Sequence, residues 1–185
     1  MLALMRCRRS ARGFTLVELL VVLALVAILA TLAVPSFERA IANQKLNVAA
    51  SDLMVSAMQA RGEAIKNNRQ AIVQPLVSTD WSKGWRIYVD MDNDKAYTEG
   101  TDLLVTTVAA AASSVTQYEA VRNAAVGNLI GFDPNGFVLG RDAGRVIFAS
   151  TTLGTGYKKG VIISITGRAR VCKSVPGTDG CTGTS

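Results

Sequence analysis

The stretch RGFTLVELLVVLALVAILATLAVP, Arg12 to Pro35, decides how the rest of the chain is read. From Phe14 to Val34 it holds 21 residues with a single charge, Glu18. As a helix it measures about 31 Å, enough to cross a hydrocarbon core. Arg6, Arg8, Arg9 and Arg12 precede it, which predicts a cytoplasmic N-terminus and places everything after Pro35 across the membrane. A secretory signal peptide has an apolar core of about 7–15 residues followed by a small-residue cleavage site. This run is longer, and its best candidate site, Thr31-Leu32-Ala33, matches poorly. A plain anchor accounts for length and orientation but leaves Glu18 unexplained.

A charge at the bilayer centre costs about 2.5–3.5 kcal/mol on insertion scales and marks function. Cleavage between Gly13 and Phe14 would put a new ammonium on Phe14, one helical turn from Glu18. The helix dipole favours a carboxylate in the first turn. In an assembly of parallel helices the same carboxylate neutralises the terminal ammonium of a neighbour, and so sets register. Gly13-Phe14-Thr15-Leu16-Val17-Glu18, the apolar run and Pro35 resemble the class III signal of type IV pilins and type II secretion pseudopilins. That resemblance implies cleavage after Gly13 by a prepilin peptidase, N-methylation of Phe14, and assembly through the apolar helix into a fibre with other pilin subunits.

The chain has 185 residues, 49% hydrophobic and 18% charged, which fits one globular domain plus one membrane-type segment. It contains no histidine, which removes the commonest general base and metal ligand. With no nucleophile motif either, an enzyme is not expected, nor a cofactor. The net charge of +6 falls to +2 without the four leader arginines. The basic excess then sits at the other end: residues 141–185 hold seven basic residues against Asp142 and Asp179. Such an excess points to an anionic partner or to a solvated face.

Beyond Pro35 the pattern turns amphipathic. Phe37, Ile41, Ala49, Leu53, Ala57, Ala60 and Ala64 recur at helical spacing, with Glu38, Lys45, Asp52, Gln59 and Glu63 between them. One helix is expected from Thr15 to Lys66, bent near Pro35, weak at Arg61-Gly62, and ended by Asn67-Asn68. Strands are expected at 71–77, with Pro75 suggesting an edge, and at 85–90, 103–108, 128–132, 137–139, 145–149 and 161–166. Asp92-Asn93-Asp94, Asp133-Pro134-Asn135-Gly136 and Gly154-Thr155-Gly156 separate them as turns. Ala109–Ser114 reads as a loop or a helical turn. The fold class is therefore α+β, a long N-terminal helix packed on an antiparallel sheet. The chain divides into a basic leader (1–13), a transmembrane and assembly helix (14–35), its amphipathic continuation (36–66) and a β-rich periplasmic head (67–185).

WSKGWRIYVD (81–90) and VIISITGRARVC (161–172) resemble the head of the FimT/GspH family of minor pilins and minor pseudopilins. The resemblance is least clear over 96–127, and it implies a low-copy subunit. Gly167-Arg168-Ala169-Arg170 is the sharpest local feature. In extended chain Arg168 and Arg170 project to one side, about 6.6 Å apart, and each guanidinium can fork onto a phosphate. Lys158, Lys159 and Lys173 are close in sequence and would widen the patch. No aromatic alternates with the arginines, so backbone binding is expected rather than base stacking. Gly167, Arg168 and Arg170 match the G-R-x-R motif of the FimT branch, which implies DNA binding during natural transformation. The alternative is minor pseudopilin H of a type II secretion system.

Cys172 and Cys181 close a short loop and are expected to pair in an oxidising compartment, worth about 2–3 kcal/mol in the chain-entropy model. Cys7 leaves with the leader. Asp90, Asp92 and Asp94 mimic the first half of a calcium loop, but Lys95 and Thr101 stand where an EF-hand needs Gly and Glu. A solvated strand-end turn is expected there, with no metal.

Overall fold

A computed structural model describes residues 13–121, 129–141, 143–154 and 156–181. The leader at 1–12, and Asn128, Asp142 and Thr155 among the residues discussed above, lie outside them. One helix, α1 (Leu16–Asn67), carries Pro35 in its interior without ending there. Thr15 starts it: the hydroxyl Oγ1 accepts the Glu18 N–H at 3.2 Å, the Thr-x-x-Glu arrangement of a capped N-terminus. Asn68 stops it in the left-handed region, φ 51°. There the Arg69 N–H donates to Ala64 O and the Asn68 N–H to Ile65 O, satisfying carbonyls that the last turn orphans.

Residues up to Glu38 form one compact unit and those from Arg39 a second. In the first, every helical residue whose exposure is described is exposed. In the second, α1 buries Ala42, Leu46, Ala49, Ala50, Leu53, Ala57, Ala60 and Ala64. The expected stripe needs correction at its start, because Phe37 and Ile41 are 68% and 42% exposed. Ile41 lies one residue, about 100° of helix, away from the buried Ala42.

The strands pair antiparallel and carry the long helix, as expected, and they divide into two sheets. The first has the order β3-β2-β1-β5, from β1 (Gln70–Val77), β2 (Asp80–Asp90), β3 (Leu103–Val108) and β5 (Ile130–Phe132). The second has the order β4-β6-β7-β8-β9, from β4 (Val115–Val121), β6 (Gly144–Ser150), β7 (Lys158–Ile163), β8 (Ala169–Val175) and β9 (Thr178–Asp179). β1 is an inner strand, not an edge. Pro75 is tolerated because β5 pairs only with Ala71 to Val73, so β2 alone flanks β1 at Pro75. Residues 137–139 make an isolated bridge, Phe132 with Val138, and lead into a short 3₁₀ turn, Leu139–Arg141, instead of a strand. β7 stops at Ile163, three residues before the expected end. Ala109–Ser114 is a loop, tied by the Ala111 N–H to Ser82 O at 2.9 Å.

The helix packs on both sheets. Leu46, Leu53 and the small side chains of Ala57, Ala60 and Ala64 share one core with Val73, Trp85, Ile87 and Phe132 of the first sheet and Val146, Phe148, Val161 and Ile163 of the second. Alanines on the contact face let the helix axis approach closely, and large sheet residues fill the remaining space. Trp85 also donates its Nε1–H to the buried Ser56 Oγ at 2.8 Å. Truncating such a tryptophan to alanine costs about 3–5 kcal/mol. Trp81 N–H donates to Gln117 Oε1 at 2.8 Å, joining β2 to β4 across the two sheets.

Candidate functional site

The turn between β7 and β8 carries the two arginines. Ser164 N–H donates to Arg168 O and Gly167 N–H to Ser164 O, each at 2.9 Å. Gly167 sits at φ +79°, where a side chain is strained. It is also a point of close approach, because a Cβ there would overlap the Gly136 carbonyl oxygen. Arg61 of α1 donates from Nε to that same oxygen at 2.9 Å, and Val138 N–H donates to Ile165 O at 3.1 Å. The Gly-Arg-Ala-Arg turn is thereby pinned against the 133–138 turn and the helix. Arg61, expected only as a weak point, holds this junction.

Arg168 and Arg170 are exposed and border one groove of about 440 Å³ with Ile162, Ser164 and Thr166. The Ser164 and Thr166 hydroxyls lie 2.9 Å apart. The groove therefore offers two guanidiniums and two hydroxyls, a donor set suited to phosphate oxygens.

Strand register divides the basic residues expected to act together. Val161 and Ile163 face α1, while Ile162 and Cys172 belong to a small cluster on the other side of the second sheet. Arg170 pairs with Ile162, and Arg145 also pairs with Ile162 from β6, so the arginines lie in one row on the outer face. Arg145 Nη2 sits 2.7 Å from Glu119 Oε1 and is neutralised there. Lys158 shares the outer face and stands 3.5 Å over the Tyr118 ring. Lys159 and Lys173, one residue out of step, point to the helix side: Lys159 Nζ bonds Asn47 Oδ1 of α1, and Lys173 lines a cavity with Arg39 and Asn43. Burial, then the charge of Lys173, lowers the pKa of Lys159. Tyr118 and the two hydroxyls escaped sequence reasoning, for the sheet brings Tyr118 under Lys158 and the β7–β8 turn brings the hydroxyls together.

The remaining sequence features settle simply. Cys172 and Cys181 are disulfide-bonded, with Cα atoms 5.1 Å apart. The turn after Asp90 is exposed over residues 91–96, as expected, but Asp90 itself, at the end of β2, is fully buried. Its carboxylate accepts the N–H groups of Asn93 and Lys95 at 2.7 and 3.0 Å. Burial raises its pKa, and those backbone bonds oppose the rise. Asp102 accepts Met91 and Thr98 N–H groups in the same way. Asp90, Asp92 and Asp102 each bring an oxygen within 4.8 Å of the others, and the amide bonds account for the two buried ones as braces of the loop. Gly13 and Phe14 precede the helix, and Glu18 lies exposed in its first turn.

Comparison with known proteins gives consistent neighbours. Residues 49–167 match the family model described as type II transport protein GspH, and residues 8–34 match the prokaryotic N-terminal methylation motif. The chain is 32% identical over 164 residues to a pilin-like protein, PilA1, of Thermus thermophilus, covering 88% of this chain and 99% of that protein. The type IV minor pilin FimU of Pseudomonas aeruginosa superposes with TM-score 0.54 at 20% identity, over 69% of this chain and 88% of that one. The minor pseudopilin EpsH from the type 2 secretion system of Vibrio cholerae superposes with TM-score 0.52 at 12% identity, over 72% and 99%. Both likenesses are of fold.

Proposed function

Since the chain belongs to the GspH family of minor type IV pilins and pseudopilins, a structural rather than enzymatic family, we propose that it is a minor subunit of a type IV pilus whose head binds DNA non-specifically during natural transformation. Prepilin peptidase cuts the leader after Gly13, Phe14 is N-methylated, and residues 14–35 hold the chain in the inner membrane until assembly. The N-terminus is cytoplasmic and the head, residues 67–185, periplasmic. The methylation motif at 8–34 and the exposed apolar start of α1 support this placement. Glu18 then meets the terminal ammonium of a neighbouring subunit.

One observation carries the DNA reading: Arg168 and Arg170 are exposed on one side of a pinned turn and border a groove with two hydroxyls. The donors suit phosphates, and the groove offers no aromatic platform for bases. Tyr118 is engaged by Lys158. A second reading, minor pseudopilin H of a type II secretion system, is favoured by the description of the matching family model.

Duplex binding by the full chain in detergent, titrated with salt, tests the choice. Each neutralised phosphate releases counterions, so binding falls steeply with salt. Arg168→Ala with Arg170→Ala is expected to weaken binding at least tenfold at low salt and to flatten the log–log salt slope by about 2. Equal binding by parent and double variant rejects DNA as the ligand of this groove.

A further inference from the structure

Lys173, which register turns away from the DNA groove, meets a second cation on the helix side of the sheet. Arg39 and Lys173 are both exposed, and with Asn43 and Tyr157 they line one cavity of about 400 Å³ whose other walls include Leu153 and Val175. No carboxylate lines it. Among the described residues the ion pairs are Lys66–Glu63, Arg141–Asp133 and Arg145–Glu119, so neither cation of the cavity is neutralised. Lys159 stands opposite Lys173 across the β7–β8 ladder, where like charges repel. It turns instead to Asn47 of α1, and Lys173 is left to the cavity.

The donors describe the ligand. A planar guanidinium, an ammonium, an amide and a phenol hydroxyl together suit the oxygens of a phosphate. Free inorganic phosphate gains nothing from Leu153 and Val175, whereas a phosphate that carries hydrocarbon covers them. A zwitterionic headgroup would bring a cation to a cavity that already holds two, so an anionic headgroup fits better. The chain also sets the depth. Arg39 follows Pro35 by four residues, a reach of at most about 14 Å however the chain turns. The headgroup layer is itself about 5–8 Å thick beyond the hydrocarbon core, so Arg39 cannot leave its neighbourhood while the apolar run spans the membrane. Tyr157, 41% exposed, is the kind of amphipathic ring enriched at that level.

We propose that the Arg39–Lys173 cavity binds the phosphate of an anionic phospholipid and so seats the head on the membrane surface before assembly. The site rests on the inner-membrane part of the proposed function. It is independent of DNA binding, because Arg168 and Arg170 border a separate groove and Arg170 lies on the opposite face of the sheet.

The test uses the full chain reconstituted in nanodiscs of equal parts phosphatidylglycerol and phosphatidylcholine, with the lipid it retains on release read by native mass spectrometry. The parent is expected to keep phosphatidylglycerol at least tenfold over phosphatidylcholine, since each basic residue at an anionic surface contributes about fivefold. Arg39→Gln with Lys173→Gln should abolish that preference. Lys83→Gln with Lys95→Gln removes the same charge from exposed sites elsewhere on the head and should leave it, as should Arg39→Lys with Lys173→Arg, which keeps both charges. Millimolar inorganic phosphate should not displace the lipid. No preference in the parent, equal losses in the two glutamine variants, loss in the charge-keeping variant, or displacement by inorganic phosphate overturns the lipid site while leaving the membrane placement standing. A chain that does not enter the nanodiscs overturns the placement as well.

Discussion

The two halves of α1 obey different rules. Up to Glu38 the helix is apolar on all sides, and every residue of it whose exposure is described is exposed. From Arg39 it is apolar on one face only, and that face is built from alanines pressed against two sheets. A helix hydrophobic all round needs an apolar solvent or other helices. A helix with one small-residue stripe has its partner already fixed by shape. The first half therefore stores interaction for assembly, and the second has spent its own on folding.

The most severe way to break this comparison is at Glu18. If the first half served burial alone, Glu18→Val would improve membrane partition, since a carboxylate costs about 2.5–3.5 kcal/mol on insertion scales. If Glu18 pairs with a neighbour's terminal ammonium, the variant is cleaved normally but leaves that charge unpaired in lipid. A loss of about 3 kcal/mol is roughly a hundredfold drop in incorporation. Mass measurement of the processed chain and its recovery in sheared fibres decide between these. Unchanged recovery sinks the pairing.

A smaller effect sharpens the same contrast. Ala57→Leu adds bulk where the helix meets both sheets and should cost about 1–3 kcal/mol, several degrees in the melting temperature of the full chain in detergent. Ala27→Leu makes the identical change where the helix is exposed and should stay within about 0.5 kcal/mol. Equal shifts for the two variants would mean that the halves do not differ in packing.

The helix of the first half and its methylation motif were legible because their logic is one-dimensional: charge, run length and the Gly-Phe junction need no partner strand. The second half was legible where period alone decided it, from Ala49 to Ala64, and failed at Phe37 and Ile41, where phase had to be carried backwards. In the sheets, 85–90 and 103–108 stood out through large β-formers, whereas β4 and β8 were missed. VTQYEAV alternates weakly, and ARVCKSV drew attention as a basic stretch rather than as a strand. The site suffered from the same omission. Arg168 and Arg170 share a side by their spacing, which the sequence shows. The odd offset of Lys173 would have separated it from Arg170 had β8 been recognised, and Lys159 needed the β7–β8 register. The closeness of Gly167 to Gly136 and Arg61 left no trace in local sequence, because it joins segments far apart in the chain.

The gentlest test concerns the polar contact on the helix-facing side, Lys159 with Asn47. A lysine whose folded pKa is depressed holds fewer protons folded than unfolded between that pKa and the usual 10.5. Stability must then rise with pH through this window and level off above it, where both states are neutral. Below the window the buried charge is a standing cost. Lys159→Met, close in length and apolar, should remove the slope and raise stability near neutral pH by about 1 kcal/mol. Denaturant melts of the full chain at several pH values up to 10.5 measure both quantities. A gain in stability marks Lys159 as a charge retained at the expense of the fold and free to serve a partner. A loss at neutral pH would instead make the Asn47 bond a structural brace, and α1 beyond Arg39 would then be held to the second sheet by polar as well as apolar contact.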